Sequence, residues 1–504
     1  MILIFPPVSK PCEPPASVAQ LSGALRAHRI GHEVVDANLE ALLWLFHSTA
    51  DMKTDSSWTK RALSNLDTNL AALKTMELYG NPDRYRQKIF DLNRALSTRV
   101  QSDRFRVTLS GYTDTDLSPV RSEDLLKSAV NFRENPFYGY FEACLRPRIE
   151  QSDPAWIGVS LCYMTQALSA FALAGWVKEN FPGKKIVMGG GLVTSWLRMP
   201  DFRNPFNGLI DMMVQGEGEA SLLNIAGSDV PGAERCTPDY GFADFASYQA
   251  PGRILPYSAS RGCYWRKCRF CPERAEKSVY RPVDSQVVVK DLEELYEKYN
   301  PDCIHFVDNA MSPALMRRLA LEQPRFNWYG FARIGKELEE PEYLKALKRS
   351  GCVMLKLGLE SGDQGVLDAM EKGTDLDVAS RVLTRIKDAG IKAFVYLLFG
   401  TPGENEAAAE RTLAYTARHA DRIDFLNLAV FNMPRFSLDA EKYSVSEFSK
   451  GDLSLYYNFE HPAGWGRKEV RAFLDKRFKR EPSIAGILRK NPPCFTSNHA
   501  PFFM

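Results

Sequence analysis

Apolar residues along the chain keep two alternating rhythms. Short continuous runs such as Ile2-Leu-Ile-Phe5, Trp156-Ile-Gly-Val-Ser-Leu161, Lys185-Ile-Val-Met188 and Leu209-Ile-Asp-Met-Met-Val214 read as strands buried on both faces. Between them, positions such as Val18, Leu21 and Leu25 recur at helical spacing. A further helix is predicted from Gln166 to Asn180, stopped by Phe181-Pro182-Gly183, and His32-Glu-Val-Val-Asp36 reads as another strand. Strands alternating with helices make parallel sheets, so residues 1–226 are expected to form an α/β doubly wound domain. From residue 39 to about 150 the pattern is mostly helical, as in Arg61 to Tyr79 and Arg84 to Leu96, and reads as a helical insertion.

Residues 227–253, rich in Pro, Gly and Asp, read as a linker. Alternation then resumes. Strands are expected from Leu255, at Cys303-Ile-His-Phe-Val307, from Asn327 to Arg333, Val353 to Ser361, Lys392 to Phe399 and Phe425 to Phe431. Helices are expected at Val287 to Tyr299, Pro341 to Ser350 and near Asp377 to Ala389. This makes six strand–helix units within residues 254–435, followed by a less regular C-terminal extension at 436–504. Glycines and polar groups gather where strands end: Gly189-Gly190-Gly191, Gly216-Glu217-Gly218, Asp308-Asn309, Glu360-Ser361, and Gly400 with Gly403. Parallel folds keep their chemistry at those ends, and glycine lets a ligand approach the backbone.

Composition refines this picture only slightly. A chain of 504 residues with 45% hydrophobic and 25% charged residues is that of a globular protein of two or three domains. A net charge of +2 supplies no global field for nucleic acid, and no nucleic-acid partner is expected. No apolar stretch approaches membrane-spanning length, and prolines break the apolar start at Pro6-Pro7, so neither membrane association nor a secretory signal is expected. The ten cysteines form no disulfide-like framework, which suits a reducing, cytoplasmic setting.

Three of those cysteines carry the chemistry. In Ser258-Ala-Ser-Arg-Gly-Cys263-Tyr-Trp-Arg-Lys-Cys268-Arg-Phe-Cys271, four residues separate the first pair and two the second. A zinc site would normally need a fourth Cys or His at regular spacing, and the next are Cys303 and His305 in another predicted element. Three thiolates without a fourth partner suit a 4Fe–4S cluster with one iron left open. Inert buried thiols, or zinc completed by a distant ligand, remain alternatives. Arg261, Arg266, Lys267, Arg269, Arg274 and Lys277 surround the motif, either as a solvated basic loop or as an offset to thiolate charge.

This stretch resembles the cluster loop of the radical S-adenosylmethionine (radical SAM) superfamily, with Phe270 before the third cysteine fitting that pattern. One departure stands out: the commonest superfamily loop has three residues between the first two cysteines. Subfamilies with Gly-Cys-Tyr-Trp-x-x-Cys-x-Phe-Cys are similar to this chain. The six strand–helix units resemble the partial (β/α)6 TIM-type barrel of these enzymes. The order of elements over residues 1–38 and 155–226 is similar to the Rossmann-like cobalamin-binding domain that precedes the barrel in one subfamily. Asp-x-His-x-x-Gly, which supplies a cobalt-ligating histidine in some cobalamin proteins, is absent.

The resemblance implies roles for particular residues. Cys263, Cys268 and Cys271 would ligate the cluster, Glu360 with Ser361 would hold the SAM amino group, and Arg333 would pair with its carboxylate. Gly400 and Gly403 would admit the adenosine. Asp308 is left between SAM ribose, substrate and a helix cap. Gly189, Gly190, Gly191, Gly216, Glu217 and Gly218 would line a cobalamin crevice with Pro6-Pro7 and Cys162-Tyr163. Tyr264 and Trp265 would pack over the cluster, under cobalamin or in the core. Cys494 and His499 would either reach the active site or belong to a packed tail.

The implied activity is cleavage of SAM at the cluster to a 5′-deoxyadenosyl radical, with methyl transfer from methylcobalamin to an unactivated substrate carbon. Ring formation or rearrangement without cobalamin, and a non-catalytic iron–sulfur protein, are the alternatives. Methylthio-transferring RNA enzymes resemble the barrel, but neither a second cysteine cluster before residue 250 nor a small basic β-barrel is visible. The implied partners are a small-molecule or peptide substrate and an electron donor such as flavodoxin or ferredoxin.

Overall fold

In the computed structural model, which describes residues 1–48, 56–228 and 235–493, the N-terminal apolar runs form one parallel sheet. Its strands are β1 (Ile2–Ile4), β2 (Glu33–Val35), β3 (Trp156–Ser160), β4 (Lys185–Gly189) and β5 (Met212–Met213), in the order β2-β1-β3-β4-β5. All neighbours pair in parallel. From β1 the chain steps outward to β2 on one side, then crosses to β3 on the other. The switch between β1 and β3 is where such sheets open a crevice at their carboxyl ends. Helix α1 (Ala16–Ala27) packs Leu25 against Leu3, Val187, Leu222 and Leu223, the last two from α4 (Glu219–Ile225). Helices α2 (Ala167–Asn180) and α3 (Gly191–Arg198) follow β3 and β4, and α2 is buried on nearly every side.

Several expectations are corrected here. The run Leu209 to Val214 contributes only Met212–Met213 as strand, because β5 is an edge strand pairing with β4 alone. Arg61 to Tyr79 is not one helix but Ser57–Ser64, Leu66–Ala72 and Met76–Tyr79, the last two caps offering no side-chain hydrogen bond. The insertion also holds a hairpin, Phe105–Thr108 with Gly111–Asp114. Residues 235–253, linker-like in composition, run as a strap along the first sheet's layer. Asp239 N donates to Ala19 O at 2.9 Å, Gln249 N to Pro11 O at 2.8 Å, and the buried Tyr248 hydroxyl to Asp36 at 2.8 Å.

The chain divides into two compact units, Met1–Arg253 with Ser449–Ser454, and Ile254–Phe448 with Leu455 onward. In the second unit β6 (Ile254–Tyr257), β7 (Cys303–Phe306), β8 (Asn327–Ala332), β9 (Cys352–Glu360), β10 (Lys392–Phe399) and β11 (Phe425–Val430) pair in sequence, all parallel. Helices α5 (Ser285–Tyr299), α6 (Pro313–Glu322), α7 (Pro341–Arg349), α8 (Gln364–Ala369), α9 (Leu376–Asp388) and α10 (Glu406–Arg418) lie between them. This is the expected six-unit partial barrel, and all six strand ends point to one mouth. Among the strands the polar exceptions meet each other: Lys356 Nζ lies 2.7 Å from His305 Nε2, and the His305 ring stacks on Tyr329 at 4.4 Å.

The extension is more ordered than its pattern suggested. It forms a three-stranded sheet, with Tyr456–Phe459 between Met433–Pro434 and Val445–Glu447, and helices Arg467–Lys476 and Pro482–Lys490. Cys494 and His499 lie outside the described residues. Among the described residues, no helix is long and apolar enough to cross a membrane.

Candidate active site

The cysteine loop is a closed excursion from the end of β6. Ser260–Arg261 pairs antiparallel with Arg281–Pro282, which ties the loop's two ends together. Gly262 enters it at φ +70°, and a Cβ there would lie 2.8 Å from Val279 O. Arg266 also adopts a left-handed φ of +54°, so the four-residue spacing between Cys263 and Cys268 contains a tight turn. Asp308, at the end of β7, is buried and accepts from Ala259 N at 3.0 Å and from the Ser260 hydroxyl. Both its oxygens therefore hold the root of the loop, which neither the SAM-ribose, substrate nor helix-cap reading of Asp308 anticipated.

The three thiols lie on this one loop, close enough for their charges to act on one another in sequence. Cys268 and Cys271 are largely desolvated, and burial is the main cause raising both thiols, Cys271 to about 11. The charge of Cys263 acts on Cys268, and that of Cys268 on Cys271. A metal bound by these thiols would have to displace their protons, since coordination needs thiolate. Among the described residues, no three His, Cys, Asp or Glu side chains converge on a single-ion site. In a cubane each cysteine ligates its own iron, so convergence on one point is not required.

Opposite the thiols stands a charged set from the barrel. In the β9–β10 register Leu359 is the unpaired residue between Gly358 and Glu360, a bulge that ends the strand. Glu360 follows at φ +70°, a conformation a side chain adopts only under constraint. Its carboxylate pairs with Lys372 Nζ at 2.8 Å, and the two side chains are 12% and 8% exposed. Arg333, just beyond β8, puts Nη1 3.9 Å from Cys268 Sγ, donates through Nη2 to Lys372 O, and lies 4.0 Å over the Trp265 ring. Lys372 and Arg333 both favour the Cys268 thiolate. The cations that offset thiolate charge thus come from barrel loops.

The basic run around the cysteines is used differently. Arg269 pairs with Asp439 and Glu371, and Arg274 with Glu371 at 2.7 Å. Arg269 N donates to Met370 O at 2.9 Å and Trp265 Nε1 to Glu371 O at 3.2 Å. The cysteine loop and the α8–α9 loop are thereby knitted into one body. Arg266, Lys267 and Lys277 remain exposed without a carboxylate partner among the described residues.

Other expected residues divide into those at the mouth and those turned away. Phe270 packs on Val366, Leu367, Met370 and Ala408, fixing the residue before Cys271. Ser361 points inward, sharing a 3.1 Å contact with Thr412 and accepting from Asp363 N, so it holds the turn after β9. Gly400 needs its φ of +82° to leave β10, and its N–H donates to Glu404. Gly403 packs where a Cβ would lie 2.9 Å from Ala369 Cβ. Tyr264 sits edge-on to Tyr280 at 6.2 Å within the loop. Lys372 and Glu371 were missed in sequence; their only signal was a charged pair before Gly373.

In the first unit, β3 ends at Cys162-Tyr163, β4 at Gly189, and β5 leads to Gly216. Gly190 has φ +107°, and a Cβ on it would lie 2.4 Å from Leu161 O. Its glycine is therefore demanded by the chain's own backbone, which corrects the expectation that ligand approach required it. Gly189 and Gly191 meet only ordinary contacts. Gly216, at φ +78°, has open space where a Cβ would be, and its N–H donates to Thr194 Oγ1. Glu217 is exposed, and Gly218 approaches Leu21. With Tyr163 57% exposed at the end of β3, this edge offers a flat group both an aromatic face and unfilled backbone space.

A family model described as the radical SAM superfamily matches residues 257–416, which lie within the barrel unit. The chain is 24% identical over 301 residues to an anaerobic magnesium-protoporphyrin IX monomethyl ester cyclase of Rubrivivax gelatinosus, covering 50% of this chain and 52% of that protein. It is 25% identical over 254 residues to bacteriochlorophyllide d C-12(1)-methyltransferase of Chlorobaculum tepidum, covering 47% and 54%. It thus spans about half the length of these curated relatives. Its fold is shared with the cobalamin-dependent radical SAM enzyme OxsB with aqua-cobalamin bound (TM-score 0.59, 13% identity, 95% of this chain and 67% of that one). It is also shared with the radical SAM methyltransferase TsrM of Kitasatospora setae with cobalamin and a 4Fe–4S cluster bound (TM-score 0.52, 14% identity, 86% and 76%).

Proposed function

We propose that this protein is a cobalamin-dependent radical SAM enzyme that methylates an unactivated carbon of a small-molecule or peptide substrate. The observation that carries the reading is the cysteine loop fastened at the barrel mouth, with Arg333 beside Cys268 and the Glu360–Lys372 pair next to it. When bound, the cluster supplies the electron that cleaves SAM, and methylcobalamin supplies the methyl group. The chain's own residues bind and orient. Cys263, Cys268 and Cys271 would hold three irons, leaving one coordination site open. Glu360 would take the SAM ammonium through charge-assisted hydrogen bonds. The turn Gly400–Glu404 would lie along the adenosine, kept in place by Glu404. Asp308 and the Arg269, Arg274 and Glu371 knot would keep the loop from moving when SAM enters.

The exposed edge at Tyr163 and Gly216 supports a corrin on the first unit, with no Asp-x-His-x-x-Gly histidine to reach the cobalt. A donor such as flavodoxin or ferredoxin would dock on the exposed cations Arg266, Lys267 and Lys277. The nine described cysteines are free, which suits a reducing cytoplasm. Ring formation is the second reading, favoured by the cyclase among the relatives. Products of the two differ in mass: methyl transfer adds a carbon, and dehydrogenative ring closure removes hydrogens.

The test is anaerobic reconstitution. Wild-type protein should take up about four irons per chain and release 5′-deoxyadenosine from SAM under reduction. Cys263→Ala, Cys268→Ala and Cys271→Ala should each abolish both. Retention of wild-type cluster spectra and SAM cleavage by all three variants would defeat the proposal.

A further inference from the structure

Arg467 belongs to neither the cysteine motif nor the strand-end pattern, yet it is fastened to the end of β11. Its Nη1 donates to Phe431 O at 3.3 Å and to Asn432 Oδ1, the two residues that follow that strand. β11 is the last strand of the barrel sheet and pairs with β10 alone, so its outer edge needs covering. Lower on the same edge Asn491 does this with a neutral amide, donating to Leu426 O at 2.6 Å and accepting from Leu426 N at 3.4 Å. A guanidinium at Phe431 brings a charge and two further nitrogens that capping the edge does not require. Among the described residues no carboxylate pairs with Arg467, and Nε and Nη2, which share one side of the guanidinium fork, donate to no group. Burial, and then the neighbouring Arg471, lower its hold on its proton below that of an ordinary arginine. Glu469 lies instead by Gly466, where a Cβ would fall 3.2 Å from its Oε2. Arg467 is also the first residue of the helix Arg467–Lys476, whose Gly466 cap offers no side-chain hydrogen bond. The helix dipole opposes a cation at that end, so helix stability does not explain the arginine. The Phe448 ring, 5.6 Å from the guanidinium carbon, covers one face and leaves the edge to a ligand.

We infer that Arg467 anchors an oxyanion of the substrate, a carboxylate or a phosphate, at the outer strand of the barrel mouth. That the anion belongs to the substrate rests on the radical SAM reading. The Nε–Nη2 side of the fork matches two oxygens of one carboxylate or phosphate, a pairing that a lysine point charge does not offer. Phe431 O and Asn432 Oδ1 hold Nη1 on the strand end and leave that side unspent. The helix that carries Arg467 also backs the turn after β10. Its Val470 side chain lies 3.2 Å from where a Cβ on Gly400 would be, and Trp465, just before the helix, donates to Glu404. One helix thus supports the turn assigned above to the adenosine and carries the anchor, which sets the acidic group at a fixed place relative to SAM. Substrates bearing such a group are selected over neutral ones.

The experiment gives the cluster-loaded chain two probe anions, benzoate and phenyl phosphate, and the neutral isostere benzamide. Calorimetry on wild-type protein should favour the anions over benzamide, and the tighter of the two tells carboxylate from phosphate. Arg467→Gln should weaken that anion about ten- to hundred-fold, the range for a lost charge-assisted contact, and leave benzamide binding unchanged. Arg471→Gln removes an exposed neighbouring charge and should change anion affinity by no more than about two-fold. Because Arg467→Gln also loosens the β11 edge, a second measurement uses wild-type protein alone: the preferred anion should protect Arg467, and not Arg471, from phenylglyoxal in peptide maps. Equal losses in the two variants, no preference for the anions over benzamide, or no protection of Arg467 would each mean a diffuse basic surface and overturn the inference. Anion binding that passes these tests in protein that cleaves no SAM keeps the anion site, and overturns both the radical SAM reading and the assignment of the anion to its substrate.

Discussion

Glu404 shows how one carboxyl can hold the end of a strand. It is buried, accepts from Gly400 N and from Trp465 Nε1 at 3.0 Å through Oε2, and leaves Oε1 unpartnered. Burial raises its carboxyl from 4.5 to about 7. A folded-state pKa above the unfolded one means the folded chain binds the proton more tightly, so the protonated form favours folding. Stability from this group is present below the unfolded pKa and is lost as pH rises through the folded one. Urea midpoints should therefore fall between pH 5 and about 7, and Glu404→Gln should flatten that fall by roughly 3 kcal/mol at most. Parallel wild-type and variant profiles would show that the carboxyl is already ionised across the window.

The cysteine loop combines a fastened inner face with an unpaired outer one. Arg269 and Arg274 are consumed by Asp439 and Glu371, whereas Arg266, Lys267 and Lys277 face water, with Val279 56% exposed nearby in sequence. Two of the three, Arg266 and Lys277, have left-handed backbones, which holds their direction. Electron tunnelling falls steeply with distance, so an acidic donor of the kind proposed above would gain by docking here. Exposed pairs contribute about 0.2–1 kcal/mol each. Reversing all three to Glu should thus weaken flavodoxin or ferredoxin binding about ten-fold at low salt and remove most of its salt dependence, with SAM affinity unchanged. Calorimetry at two ionic strengths decides it; an unaltered affinity and salt slope would send the donor elsewhere.

The two units pose separate questions. Gly190→Leu would drive a side chain into the Leu161 backbone, so it should unfold the first unit whether or not cobalamin binds. Tyr163→Ala is the informative change, since the ring is exposed at the sheet edge. Cluster-loaded wild-type protein titrated anaerobically with cobalamin should take it up base-off, and its cob(II)alamin resonance should lack nitrogen splitting from a histidine. Tyr163→Ala should weaken uptake several-fold, as expected for losing an aromatic contact of about 1 kcal/mol. Absence of uptake by folded wild-type protein would remove methyl transfer from methylcobalamin as the leading mechanism.

Much of this architecture is legible in the sequence itself. Parallel strands are covered on both faces, so burial writes them as continuous apolar runs: Lys392 to Phe399 was read to the residue. The cysteine spacing is local in the chain, and a loop that leaves a strand end keeps it local in space. The misreadings have one physical origin: they depended on partners distant in sequence. The segment 235–253 has a linker's composition, but Tyr240 and Tyr248 bury their rings against the first sheet's layer. Ser361 follows Glu360 in the motif, yet Thr412 from α10 turns it inward. Asp308 stood at a strand end, and only folding brought Ala259 and Ser260 to its carboxylate. Lys372 meets Glu360 because a bulge at Leu359 and a left-handed Glu360 re-aim the carboxylate. Periodicity and spacing determined which elements form and which thiols gather, since both are properties of neighbours along the chain. Which charge faces which thiol was decided by register, bulges and loop packing, where side chains far apart in sequence first meet.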